Sequence, residues 1–173
     1  GQLTMFETMK KVDFYCEAAE DFYYDGYEDT FDIIFTSPPY FNVERYSHDD
    51  NQSWVRYKDI SNWNTQFLQK ALDNMLPTLR SGGKLCVNIS DVYTQASGGK
   101  SWLKICDPMN EFLDTYTDMK YKGCIGMEMA KRPNSGGAGT AKDTEQYTQD
   151  SLQLAEETKN IRFCEPIWIW EKK

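Results

Sequence analysis

Five consecutive residues, Thr36-Ser37-Pro38-Pro39-Tyr40, combine side chains able to do chemistry at a fixed spacing. Two prolines lock their φ angles and bring carbonyls without N–H groups, so the turn is rigid and its acceptors point in a set direction. Ser37 adds a hydroxyl that donates or accepts, and Tyr40 an aromatic face with a polar tip. Acceptors beside a stacking ring suit a planar, amino-bearing ring such as a flipped nucleobase. The same residues also fit a plain Pro-Pro turn with a capping serine and a core tyrosine. Residue types alone leave both readings open.

The rest of the composition narrows the chemistry. The lone histidine, His48, speaks against His-rich zinc sites and against Ser-His-Asp or Cys-His catalysis, and no metal site is expected. Five cysteines at positions 16, 86, 106, 124 and 164 form no CxxC pair, which fits free thiols in a reducing, cytoplasmic compartment. With 19 Lys+Arg against 27 Asp+Glu the net charge is −8, so simple electrostatic binding of nucleic acid needs a locally basic face or another segment. At 173 residues, 40% hydrophobic and 14% aromatic, the chain has the makings of one folded domain over residues 1–173. No apolar run reaches about 18 residues, so no membrane span and no membrane partner is expected.

Several elements must position the Ser-Pro-Pro-Tyr turn. Phe31–Phe35 (FDIIF) is continuously apolar and β-branched, the pattern of a strand buried on both faces of a parallel sheet, and the prolines stop it. Tyr40–Ser61 has no period and reads as a long loop with at most a helical turn. From Asn62, the residues Trp63, Phe67, Leu68, Ala71, Leu72, Met75, Leu76 and Leu79 recur at three and four, giving an amphipathic helix. Ser61 serves as its N-cap, Pro77 ends or kinks its last turn, and Ser81-Gly82-Gly83 supplies the stop. Lys84–Ile89 is a second buried strand, Asp107–Met119 a second helix, and Tyr121–Met129 a third strand. Residues 131–160 read as a flexible excursion, and Phe163–Trp170 as a last strand that Pro166 places at an edge or a bulge. Val12–Cys16 reads as a short strand and Glu17–Phe22 as an acidic turn.

The order of these pieces resembles one family. FDIIFTSPPYFNVERYS (Phe31 to Ser47) is similar to the catalytic motif of amino-directed DNA methyltransferases, in which (Asp/Asn/Ser)-Pro-Pro-(Tyr/Phe/Trp) follows a strand. LRSGGKLCVNISDV, EPIWIWEKK and VDFYCEAAEDF resemble that family's next strand with its Gly-Gly turn, its terminal strand, and its third strand with the acidic turn after it. The resemblance implies a Rossmann-like, mostly parallel α/β sheet in the family order 3-2-1-4-5-7-6. It implies methyl transfer from S-adenosylmethionine to N4 of cytosine or N6 of adenine, on duplex DNA with the base flipped out, as in restriction–modification. Ser37, Pro38, Pro39 and Tyr40 would be catalytic, with Ser37 and the Pro38 carbonyl holding the amino group. Tyr40, Phe41 and Arg45 would meet the substrate; Thr36, Glu20 and Asp21 would meet the cofactor.

The family's cofactor motif, a strand ending in Asp/Asn-Pro-Phe-x-Gly-x-Gly, is not found. Ser135–Thr140 has the glycines but neither an apolar strand before it nor an apolar helix after it. The chain is therefore expected to be truncated on its N-terminal side, starting near the family's third strand. The Phe31–Phe35 strand then has an open apolar edge, to be covered by Val12–Cys16, by a missing N-terminal segment, or by a second copy in a homodimer. The competing expectation is a catalytically incompetent binding or structural domain. A third is the same chemistry on RNA or a protein amide.

Overall fold

The computed structural model describes residues 12–44, 46–47, 49–96, 99–128 and 164–173. Strand β1 (Phe31–Thr36) is followed by one helical turn, α1 (Ser53–Arg56). Helix α2 spans residues 60–75, with wide π-type turns over Trp63–Gln69, and leads through a 3₁₀ turn at Leu76–Thr78 into β2 (Leu79–Asn88). A hairpin of β3 (Val92–Ala96) and β4 (Gly99–Leu103) precedes helix α3 (Cys106–Asp114). Strands β5 (Met119–Glu128) and β6 (Cys164–Lys172) complete the described elements.

The main sheet runs β1-β2-β6-β5. β1 and β2 are parallel, as the strand–helix–strand crossover requires, but β6 is antiparallel to both β2 and β5. The expectation of a mostly parallel sheet is thereby corrected. The observed order is the 4-5-7-6 half of the anticipated sheet, and in that half the reversed strand sits between two others, making two of the three pairings antiparallel. Pro166 reads as an edge or bulge signal, yet β6 is central and its pairing with β5 is regular at Gly126↔Pro166. The β2–β6 ladder ends at Asn88↔Ile167, so Pro166 lies just beyond it and its missing N–H costs no bond to β2.

One face of the sheet packs the helices. Leu85 pairs with Trp170 and Val87 with Trp168, and all four are fully buried with Trp63, Leu68 and Leu72 of α2 and Leu113 of α3. The helical periodicity read from Trp63 is thus the buried face as far as Leu72, whereas Leu76 falls in the 3₁₀ turn and Leu79 opens β2. Its start differs, because Asp59, not Ser61, caps the helix by accepting from the Asn62 N–H at 2.9 Å. Ser81-Gly82-Gly83 lies inside β2 and does not stop the helix; the turn at Pro77 does, and Gly82 takes a positive φ of 75° where the β1–β2 register slips.

The other face is open among the described residues. Ile33 and Phe35 are 58% and 59% exposed, so β1 is buried on one face only, through Ile34. Val12–Cys16 forms no strand and does not pair with β1; Val12 and Phe14 are exposed. Short polar-flanked runs of this kind need a neighbouring strand to order them, and none reaches this one among the described residues. No helix among the described residues is long and apolar enough to cross a membrane.

Buried tryptophans in β6 carry their indole donors into the core. Trp168 Nε1 donates to the Ile89 carbonyl and Trp170 Nε1 to Asn110 Oδ1, each at 2.9 Å. Trp170→Phe leaves the fully buried Asn110 oxygen without that donor, and urea denaturation should show a loss of about 1–3 kcal/mol.

Candidate active site

β1 delivers the Ser-Pro-Pro-Tyr turn to the carboxyl end of the sheet, where ligands of open α/β folds bind. Thr36 is half-buried and pairs with Val87; Ser37, the next residue, is exposed, while Pro38 is buried. The Ser37 hydroxyl donates to Asn88 Oδ1 at 3.3 Å, and Asn88 Nδ2 donates in turn to the Pro166 carbonyl at 3.1 Å. Asn88 itself is only 3% exposed. Because β6 runs against β2, the first residues of β6 arrive beside the last residue of β2.

Tyr40 is anchored from the same strand. Its hydroxyl donates to Glu165 Oε2 at 3.0 Å, and its backbone N–H to Glu44 Oε2 at 3.3 Å. Burial, and then the negative charge of Glu165, push the phenol far above its ordinary pKa, so Tyr40 stays a neutral donor. Its ring is 9% exposed and belongs to the core, which differs from the open stacking face expected from sequence. A base reaches that ring only where the wall around it gives way.

Phe41 follows with a φ of +48°, a left-handed conformation that a bulky side chain adopts only under constraint. The constraint is visible: its N–H binds the Pro39 carbonyl at 3.0 Å, and its ring, 6% exposed, meets Trp63 edge-on at 6.0 Å. Phe41 thus pins the chain after the turn instead of standing open for a substrate. A hollow of about 430 Å³ lies beyond it, lined by Phe41, Asn42, Asp50, Trp54, Val55 and Lys58; neither Ser37 nor Tyr40 lines it.

The expected cofactor residues sit elsewhere. Glu20 is 2% exposed, with Oε1 taking Arg56 Nη1 at 2.6 Å and the Tyr57 hydroxyl at 3.3 Å. Asp21 takes Arg56 Nη2 at 2.8 Å and Lys70 Nζ at 2.9 Å. These pairs clamp the acidic turn to α1 and α2 and occupy the Arg56 guanidinium. Thr36 alone of the three stands at the turn. Arg45, Lys131-Arg132 and Ser135–Thr140 lie outside the described residues. Among the described residues no cluster of His, Cys, Asp and Glu could hold a metal.

The residue types and spacing assign no site role to Asn88, Asp91 or Glu165. Asp91 serves the next helix: Oδ1 accepts from the Ile105 and Cys106 N–H groups, 14 and 15 residues on, at 2.9 Å each at the start of α3. Asn88 reaches the motif. The one signal for it was a polar residue ending an otherwise apolar strand; Glu165 had none beyond preceding a proline.

The DNA methylase family model (N6_N4_Mtase) matches residues 31–170. Among solved structures, TTHA0409 of Thermus thermophilus, provisionally assigned as a DNA modification methylase and complexed with S-adenosyl-L-methionine, is similar at a TM-score of 0.52 and 16% identity. The match covers 90% of this chain and 53% of that one. A second structure of the same protein gives a TM-score of 0.51 at 15% identity, over 90% and 52%. At such identity the likeness is one of fold, and this chain spans about half the length of those structures. No curated protein matches the chain.

The acidic turn is testable on its own. Lys70 and then Arg56 hold the Asp21 carboxyl below the usual carboxylate range. A depressed carboxyl stabilises the fold above its ordinary pKa, and that stability is lost as pH falls through the lowered value. Asp21→Asn should therefore be less stable than wild type near neutrality, with the gap closing from about pH 4 downward in denaturant titrations.

Proposed function

Because this chain belongs to the DNA methylase family, we propose that it forms the acceptor-binding side of an enzyme that methylates an exocyclic amino group, N4 of cytosine or N6 of adenine, in DNA. S-adenosylmethionine is the methyl donor in this reading, and a flipped base the acceptor. The observation that carries it is Ser37, exposed at the carboxyl end of β1 and held there by Asn88, in a turn where the Pro39 carbonyl is taken by the Phe41 N–H and that of Pro38 is the acceptor next to Ser37.

An exocyclic amino nitrogen is a poor nucleophile, because its lone pair is delocalised into the ring. Hydrogen bonds from its two N–H groups to the Ser37 oxygen and the Pro38 carbonyl would hold the nitrogen in place and turn its lone pair out of the ring plane. They strengthen as positive charge grows on nitrogen, which makes them catalytic and not merely binding contacts. The buried Pro38 and the Tyr40–Glu165 pair keep the turn from shifting under that load. No covalent intermediate and no histidine or cysteine is needed.

The described residues do not fit the donor as well. Glu20 and Asp21 are taken up by Arg56, Tyr57 and Lys70, and among the described residues no glycine cradle lies at the carboxyl end of β1 or β2. No step through the cofactor is derived for that reason. The same observation favours a second reading, a domain that holds the acceptor turn without transferring methyl groups.

Methyl incorporation into unmodified genomic DNA, measured at millimolar S-adenosylmethionine, separates the two. Incorporation supports the enzyme; DNA binding with no incorporation at any donor concentration supports the second reading. Ser37→Ala should lower transfer about tenfold to a hundredfold, the worth of one charge-assisted hydrogen bond, with S-adenosylmethionine binding changed less than about twofold. Equal losses in both would make Ser37 structural. Calorimetric titration of the 173-residue chain with S-adenosylmethionine should give a dissociation constant weaker than about 100 µM; a low-micromolar value (about −8 kcal/mol) would show a formed donor pocket.

A further inference from the structure

Asn88 is a polar side chain buried to 3% exposure at the end of β2, beside Val87 and Ile89, which are fully buried. An amide costs too much there unless its groups are bonded, and both ends of this one are. The Pro166 carbonyl can only accept, so it must face the Asn88 NH₂, at 3.1 Å. That leaves Oδ1 turned toward Ser37, at 3.3 Å. The reverse placement would set oxygen against oxygen at Pro166. The carbonyl of Pro166 therefore decides which way the Asn88 amide points.

A serine hydroxyl has one hydrogen and two lone pairs. With the hydrogen committed to Asn88 Oδ1, the exposed oxygen of Ser37 has only lone pairs to offer. We propose that Asn88 is a positioning residue that makes Ser37 a pure acceptor, and that this selects bases bearing an amino group over those bearing a carbonyl at the same ring position. An amino group brings N–H donors to those lone pairs. The carbonyl of uracil or hypoxanthine brings lone pairs against lone pairs, and the rejection is strong because a hydroxyl so fixed cannot turn to donate. This rests on the reading of Ser37 as the group that meets the amino nitrogen.

The test is read in binding, with no methyl donor present, so a failure of methyl transfer and a failure of this selectivity are distinguishable. Fluorescence anisotropy is measured with single-stranded oligo(dC) against oligo(dU), and oligo(dA) against oligo(dI), which need no base flipping. Wild type should prefer the amino-bearing strand about tenfold within at least one pair, and Asn88→Ala should narrow that preference to about twofold. Asn88→Asp keeps an acceptor oxygen for Ser37 and loses the donor to Pro166, so it should be less stable yet keep the preference. It covers the case in which Asn88→Ala fails to fold. Ser37→Ala should narrow the preference by itself, and adding Asn88→Ala to it should change nothing more, since Asn88 acts through Ser37. A wild type without preference in either pair, an Asn88→Ala protein that keeps its preference, an Asn88→Asp protein that loses it, or additive effects in the double variant would each overturn the proposal.

Discussion

β6 runs opposite to β2, and that reversal carries Glu165 and Pro166 to the place where β1 and β2 finish. Most of what holds the Ser-Pro-Pro-Tyr turn follows from it. Asn88, at the end of β2, is satisfied only because the Pro166 carbonyl arrives beside it. Tyr40 is tethered only because Glu165 arrives one residue earlier. A parallel last strand would bring its far end there, and the buried amide and the phenol would lose these partners.

The same strand builds the core under the site. Trp168 and Trp170 point to the helical face, with each indole N–H matched to a buried acceptor, so β6 packs tightly without an unpaired polar group at those rings. The acidic turn at Glu20 and Asp21 is tied to α1 and α2 by Arg56 and Lys70, and through Tyr57 and Asn74 it follows the helix that covers the sheet. A rigid floor with a rigid rim suits a site whose work is positioning: the groups that meet a base must not relax as charge develops.

Much was legible along the chain. The apolar spacing from Trp63 to Leu72 is the buried face of α2, because a 3.6-residue period leaves little freedom about which side faces the core. The β1–α2–β2 crossover could be read because only the long loop with its single turn α1 separates β1 from α2, and α2 runs straight into β2. The cap at Asp59 was missed for a local reason, since Ser61 is as good a capping type and lies two residues away. The strand order at the far side was harder: Pro166 argues for an edge, and only the end of the β2 ladder at Ile167 shows why a central strand tolerates it. The open face of β1 was missed because FDIIF carries the apolar character of a strand covered twice, whatever covers it.

By itself the sequence determined the rigid turn, its hydroxyl-bearing residue and the helix and strands that deliver it, since these depend on proline geometry and on local periodicity. Tertiary structure alone decided which partners that turn receives. Ser37 and Asn88 are 51 residues apart, Asn88 and Pro166 78, and Tyr40 and Glu165 125. Hydrogen bonds at such separations leave no period or motif behind, because each needs only one polar residue at the right strand end. The direction of the Ser37 hydroxyl, and with it what the site can recognise, is set by that long-range pairing of β2 with β6.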